Sequence, residues 1–96
     1  MDSSLFQRVT KALADPRRLA ILEHIAHHEE RCCSSLLEAF PISQPTMSHH
    51  LKELANANLV DVRREAKFGY YTCQRETLRA FVAEMNARFG LAGKRS

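Results

Sequence analysis

Cys32 and Cys33 are adjacent, and His24 and His28 lie one helical turn apart shortly before them. In this 96-residue chain these side chains are best suited to covalent or metal chemistry. A thiolate is both a nucleophile and a soft ligand. Two thiolates could therefore hold a soft metal or metalloid, with His24 or His28 as a third ligand. They could equally act as a redox switch, since a helix N-terminus lowers a thiol pKa and favours oxidation. As small apolar residues they could also simply be buried. Oxidation is the reading taken forward, with metal capture as the alternative. Cys73 follows Tyr71 by two in a strand-like run, shares its face, and is expected in the core.

A second group is built for hydrogen bonding. Gln44, Ser48, His49 and Lys52 recur on one side of a helical segment, and Arg63, Arg64 and Lys67 follow around a turn. Gln, Ser and His at the leading end of a helix suit base edges in a DNA major groove, and nearby cations suit phosphates. The tools of common enzymes are missing. The chain has no Cys-x-x-Cys, no glycine loop for phosphate and no paired catalytic carboxylates, so a small thiol oxidoreductase finds no support. No catalytic residue, cofactor or metal ligand is assigned. A module that binds protein through the same elements remains the other non-enzymatic reading.

The element that must position the second group begins at Ser43, a good N-cap, with Pro45 in the first turn. Met47, His50, Leu51 and Leu54 form its inward stripe, which leaves Pro45, Ser48, His49, Lys52 and Glu53 facing out. His50, on the inward side, is structural. The helix is expected to fray across Ala55–Asn58, because asparagine prefers caps and turns. Upstream, Leu5, Phe6, Val9 and Leu13 stripe a first helix. Asp15 caps a second with Pro16 at its first position, and Leu19, Leu22, Ile25 and Ala26 mark its buried side. Arg17 and Arg18 in its first turn fit solvation or a phosphate contact. The run 27–31 ends that helix. Cys32 and Cys33 are expected to open a short third helix with Leu36, Leu37 and Phe40 inward, and Pro41 ends it. The short link to Ser43 is that of a helix-turn-helix.

Leu59–Arg64 and Tyr70–Cys73 then read as strands, with Val60 and Val62 alternating against polar neighbours and Glu65–Gly69 as the turn. Arg63, Arg64 and Lys67 would sit at or near the hairpin tip. Leu78, Phe81, Val82, Met85 and Phe89 stripe a last helix that Gly90 ends, and 93–96 reads as a frayed basic tail. The expected order is α-α-α-α-β-β-α, mainly α with a β-hairpin. The first and last stripes are longer than a small core covers, which predicts a homodimer.

Composition agrees with one folded unit: 45% hydrophobic and 26% charged residues are globular values. A net charge of +3 and a pI near 9.0 are compatible with an anionic partner. No apolar run reaches membrane-spanning length, and the N-terminus lacks the features of a secretory signal, so a cytoplasmic location without a membrane partner is expected. Three cysteines, two of them adjacent, form no disulfide framework.

Three blocks together resemble the ArsR/SmtB winged-helix repressors. They are Ala12-Leu13-Ala14-Asp15-Pro16-Arg17-Arg18-Leu19, Ser43-Gln44-Pro45-Thr46-Met47-Ser48-His49-His50-Leu51, and Arg63-Arg64-Glu65 with Tyr70-Tyr71. The resemblance spans nearly the whole chain and implies a single winged helix-turn-helix domain over 1–96, with outer helices for dimerisation. It further implies a homodimer that binds double-stranded operator DNA and releases it when an inducer, often a metal or metalloid, is sensed. It points to Gln44, Ser48 and His49 as base readers, with Lys52 on the same face, and to Arg63, Arg64 and Lys67 as backbone contacts. The sensing residues would be Cys32 and Cys33. Many metalloid sensors of the family carry Cys-x-Cys at the start of the third helix. Here Cys32 matches the first position, Ser34 takes the second, and Cys33 stands between them. The zinc sensors' histidine ligands on the last helix have no counterpart, since no histidine lies beyond His50.

Overall fold

A computed structural model, which describes residues 1–91, contains five helices and a small sheet. The helices are α1 (Ser3–Leu13), α2 (Pro16–Ala26), α3 (Cys33–Ala39), α4 (Gln44–Asn56) and α5 (Arg75–Phe89). The strands are β1 (Arg31–Cys32), β2 (Val60–Glu65) and β3 (Phe68–Cys73), antiparallel in the order β1-β3-β2. The expected helix order and hairpin are present. The anticipated basic tail, 93–96, lies outside the described residues.

Local chemistry explains the helix boundaries. The Asp2, Asp15 and Ser43 side chains each accept a backbone N–H in the first turn of α1, α2 and α4. Pro16 and Pro45 occupy first-turn positions whose N–H would have no helical partner. The end of α4 does not fray as expected. Asn58 adopts a left-handed φ of 58°, its N–H reaches the Ala55 carbonyl, and the Leu59 N–H reaches that of Leu54 at 2.9 Å. Asparagine tolerates this conformation, so it makes an ordered stop of the Schellman type.

Three further expectations are corrected. Cys32 does not open α3; it is the N-cap residue and belongs to β1, paired with Tyr70 of β3. The turn of the hairpin is Ala66–Lys67 alone, with Ala66 at φ 56°, and Gly69 is a buried residue within β3. Leu19, placed on the buried side of α2, is 37% exposed. Leu22 and Ile25 are buried as expected, joined by Ile21 in place of Leu19, because α2 packs at once on α1, α4 and β3.

The core is built from Val9, Ile21, Ile25, Leu36, Met47, Leu54 and Leu59, all fully buried. Met47, His50, Leu51 and Leu54 point inward as their spacing requires. No residue of α5 is fully buried; Leu78 and Phe81 pack on the core, while Val82 and Phe89 stay exposed.

His50 is the buried polar group of the core among the described residues, and its Nδ1 accepts a hydrogen bond from Arg18 Nε at 3.3 Å. That bond ties the first turn of α2 to the middle of α4 and needs a neutral ring. Burial holds the His50 pKa below its ordinary 6.5, opposed by the Asp15 carboxylate and reinforced by Arg18, His49 and Arg17. The unfolded chain therefore binds a proton before the folded one does. The stability due to His50 is complete above about pH 6.5 and is lost as pH falls through the lower folded value. Denaturant unfolding between neutral and mildly acidic pH should show this loss. His50→Gln, which keeps an acceptor for Arg18 without a titrating ring, should flatten the profile; an unchanged slope would remove His50 as its source.

Candidate nucleic-acid interface

Ser43 sets the start of the exposed face of α4. Its Oγ accepts the Thr46 N–H at 3.3 Å, and Gln44 follows as the first helical residue. Because the inward stripe is fixed by burial, Gln44, Ser48, His49 and Lys52 are held on the solvent side, and all four are exposed. Between this face and the hairpin lies a hollow of about 500 Å³, lined among others by Gln44, Ser48, Lys52, Arg64, Lys67 and Cys33. His49 and Arg63 are outside it.

Strand alternation separates the two arginines. Arg64 pairs with Gly69, on the face of the sheet that carries Tyr71 and Cys73 inward, so it turns toward α4. A Cβ on Gly69 would come within 3.1 Å of Arg64 Nη1 and 3.3 Å of the Tyr71 hydroxyl. The bare glycine thus lets the guanidinium lie across the strand. Arg63 pairs with Tyr70 on the opposite face, with its guanidinium 4.6 Å from that ring. Two of its nitrogens donate to Glu30, at 3.0 and 3.2 Å, and a third to Glu65 at 2.7 Å. Those carboxylates push its pKa up and largely neutralise it. Among the described residues, Lys52, Arg64 and Lys67 take no part in the ion pairs. The hollow therefore carries cations without partners, which is a favourable setting for an anion.

Cys33 borders this hollow and Cys32 does not, and the two thiols have different surroundings. The Ser34 hydroxyl donates to Cys32 Sγ at 3.4 Å, and together with the N–H groups of Ser34, Cys33 and Ser35 it lowers the Cys32 pKa. Burial pushes the Cys33 thiol up, reinforced by Cys32 and opposed by Arg64. Both line a second, smaller hollow of about 310 Å³ together with Ser34, Gln44, Lys67 and Phe68. Cys73 is buried and its thiol is also pushed up by burial.

His24 and His28 are not gathered with the cysteines. Their rings lie 4.5 Å apart, His24 meets Phe40 edge-on at 5.6 Å, and His28 Nδ1 is 2.6 Å from the His24 carbonyl. Among the described residues no group of three or more His, Cys, Asp or Glu side chains is placed to hold a metal ion. The Arg18–His50 bond, the Glu30 clamp on Arg63 and the role of Gly69 were not anticipated from sequence. Only the last had a readable signal, a glycine opposite an arginine within a strand pair.

Comparison with known proteins agrees with this geometry. The family profile of a helix-turn-helix domain matches residues 13–63. An arsenical resistance operon repressor of Bacillus subtilis is 32% identical over 79 residues, covering 82% of this chain and 75% of that protein. One of the same name from Staphylococcus aureus is 36% identical over 78 residues, 81% of this chain and 74% of the other. The solution structure of a homodimeric winged helix-turn-helix DNA-binding domain from Mycobacterium bovis, a possible ArsR-family regulator, superposes with a TM-score of 0.72. It shares 30% identity and covers 97% of this chain and 86% of that one. With its repressor relatives, its helix-turn-helix and its wing, the chain belongs to the ArsR/SmtB family of DNA-binding winged-helix transcriptional repressors.

Proposed function

We propose that this chain is one winged-helix unit of a homodimer that represses transcription by holding operator DNA, and that oxidation of Cys32 and Cys33 lowers its operator affinity. The carrying observation is the hollow in which Gln44 and Ser48 of α4 face Arg64 and Lys67 of the hairpin. Gln44, Ser48 and His49 would read base edges in the major groove, while Lys52, Arg64 and Lys67 would hold phosphates. Arg63, expected as a backbone contact, has its charge offset by Glu30 and Glu65, so the phosphate contacts fall to Lys52, Arg64 and Lys67.

Dimerisation is supported by apolar side chains left in water. Phe6 and Phe81 stack at 5.2 Å between α1 and α5, and along α5 and just past its end Val82, Phe89 and Leu91 are 56%, 65% and 66% exposed. The similar Mycobacterium bovis domain is homodimeric.

For the switch, a peroxide would transfer one oxygen to the Cys32 thiolate, giving a sulfenic acid and releasing water after protonation. A second thiol then displaces water from that sulfur to form a disulfide. Adjacent Cα atoms lie about 3.8 Å apart, whereas disulfides span roughly 4.4–6.8 Å. A Cys32–Cys33 bond would be strained and easily reduced, as a reversible switch requires. Arsenical repressors among the relatives favour a second reading, capture of a metalloid or soft metal by the same thiols. Among the described residues no third ligand stands with those thiols, so that reading calls for one supplied by a partner subunit, solvent or rearrangement.

Ser48→Ala and His49→Ala should each weaken operator binding by about 1–3 kcal/mol and relax discrimination between sequences. Lys67→Ala and Arg64→Ala should weaken all sequences alike, each reducing the salt slope by about 1. Unchanged affinities and slopes in mobility-shift titrations would show the surface to be misplaced. Val82→Glu should convert the dimer to monomers in sedimentation and abolish operator binding with it; a monomeric wild type at micromolar concentration would contradict the dimer. Peroxide should reduce operator binding in the wild type, reversibly with dithiothreitol, and not in Cys32→Ser. Full binding by protein whose intact mass proves both thiols oxidised would leave the metalloid reading in its place.

A further inference from the structure

The two hollows are continuous in their lining. Cys33, Gln44, Lys67 and Gly69 border both, so the thiols open toward the same cations that face α4. Their volumes, about 310 and 500 Å³, fall within the roughly 300–1,000 Å³ usual for small-molecule sites. Phe68, 45% exposed, forms an apolar wall on the cysteine side, and its ring lies 5.9 Å from Lys67 Nζ. A site that combines a thiol, unpaired cations and an amide is suited to a peptide-sized sulfur compound carrying carboxylates.

We propose that this joined hollow captures an anionic low-molecular-weight disulfide and leaves one half of it on Cys32 as a mixed disulfide. The Cys32 thiolate attacks one sulfur of the bound disulfide, the sulfur–sulfur bond breaks, and the other half departs with the electron pair as a thiolate that takes up a proton. The Cys32 sulfur rises by one oxidation level as the departing sulfur falls by one, so no outside oxidant is needed. Lys67 and Arg64 hold the carboxylates and raise their local concentration at the thiol. Displacement of the adduct by Cys33 would close the strained adjacent disulfide, which the released thiol readily reopens, so the adduct persists while that thiol is in excess. Cys73 is buried in the core and takes no part.

The regulatory consequence rests on the DNA reading given above. The adduct fills the space between Gln44 and Lys67 and neutralises the cations assigned to phosphate, so it blocks DNA by occupation. No shift of α4 is required.

The test uses the reduced full chain with three probes: oxidised glutathione, neutral 2-hydroxyethyl disulfide and dicationic cystamine. Adduct formation is followed by intact mass, located by peptide mapping, and each rate is divided by that measured in guanidinium chloride, where the hollow is gone. The folded-state rates should favour oxidised glutathione over cystamine by roughly tenfold or more at low salt, with the preference shrinking as salt rises. Lys67→Gln should reduce the preference, and Cys32→Ser should abolish the adduct. Rates indifferent to probe charge, or modification at Cys33 or Cys73 instead, would overturn the capture site whatever the protein does with DNA. Operator binding is measured separately on reduced and adducted protein. Charge-selective capture with no operator binding by the reduced form would uphold the site and refute the DNA reading. An adducted protein that binds the operator as well as the reduced one would overturn the blocking role.

Discussion

Burial of one face of α4 is the constraint on which everything else depends. Met47, Leu51 and Leu54 close the core, and His50 beside them accepts the Arg18 bond from α2. A helix fixed along one face has no rotational freedom left, so Gln44, Ser48, His49 and Lys52 are aimed by packing and not by their own contacts. Removing a buried leucine there would cost about 2–5 kcal/mol, far more than any exposed side chain on the helix contributes to stability. The exposed face of α4 can therefore vary without cost to the fold.

The hairpin completes that face through strand parity. In β2, neighbouring residues point to opposite sides, so Arg64 joins the hollow and Arg63 is given to Glu30 and Glu65. The Arg63–Glu30 pair connects the loop before β1 to the wing, while β1 itself pairs Cys32 with Tyr70 directly beneath the Arg63 guanidinium. The thiols are thereby part of the structure that carries the wing. Cys32 lies next to the hollow between α4 and the hairpin, so the proposed switch needs no long path through the core.

Local signals made α4 legible: a cap at Ser43, a proline in the first turn and an uninterrupted stripe located its start and its inner face. Asp15 with Pro16 likewise located the start of α2, and Gly90 the end of α5. What sequence could not convey were features settled by distant partners. A two-residue strand such as β1 carries no alternation, so Cys32 looked like the start of α3 until pairing with Tyr70 assigned it elsewhere. Leu19 matched the helical period of α2 but lies beside the cluster made by Ile21, Leu22 and Ile25. The tight Ala66–Lys67 turn has no glycine at its left-handed position, and Gly69 attracted the turn assignment although close approach of Arg64 is what places it. The Glu30 clamp joins residues 33 apart in sequence, beyond any local pattern.

The central claim is that the faces of α4 and the hairpin that meet in the hollow form one DNA-binding surface. Its most direct test is an amide chemical-shift titration of the reduced, isotope-labelled protein with duplex DNA from its own promoter region. The expected perturbations cluster at 44–52 and 64–69, with α5 unaffected except through symmetry-related contacts. Perturbations concentrated on α1 and α5, with 44–52 unchanged at saturating DNA, would contradict it.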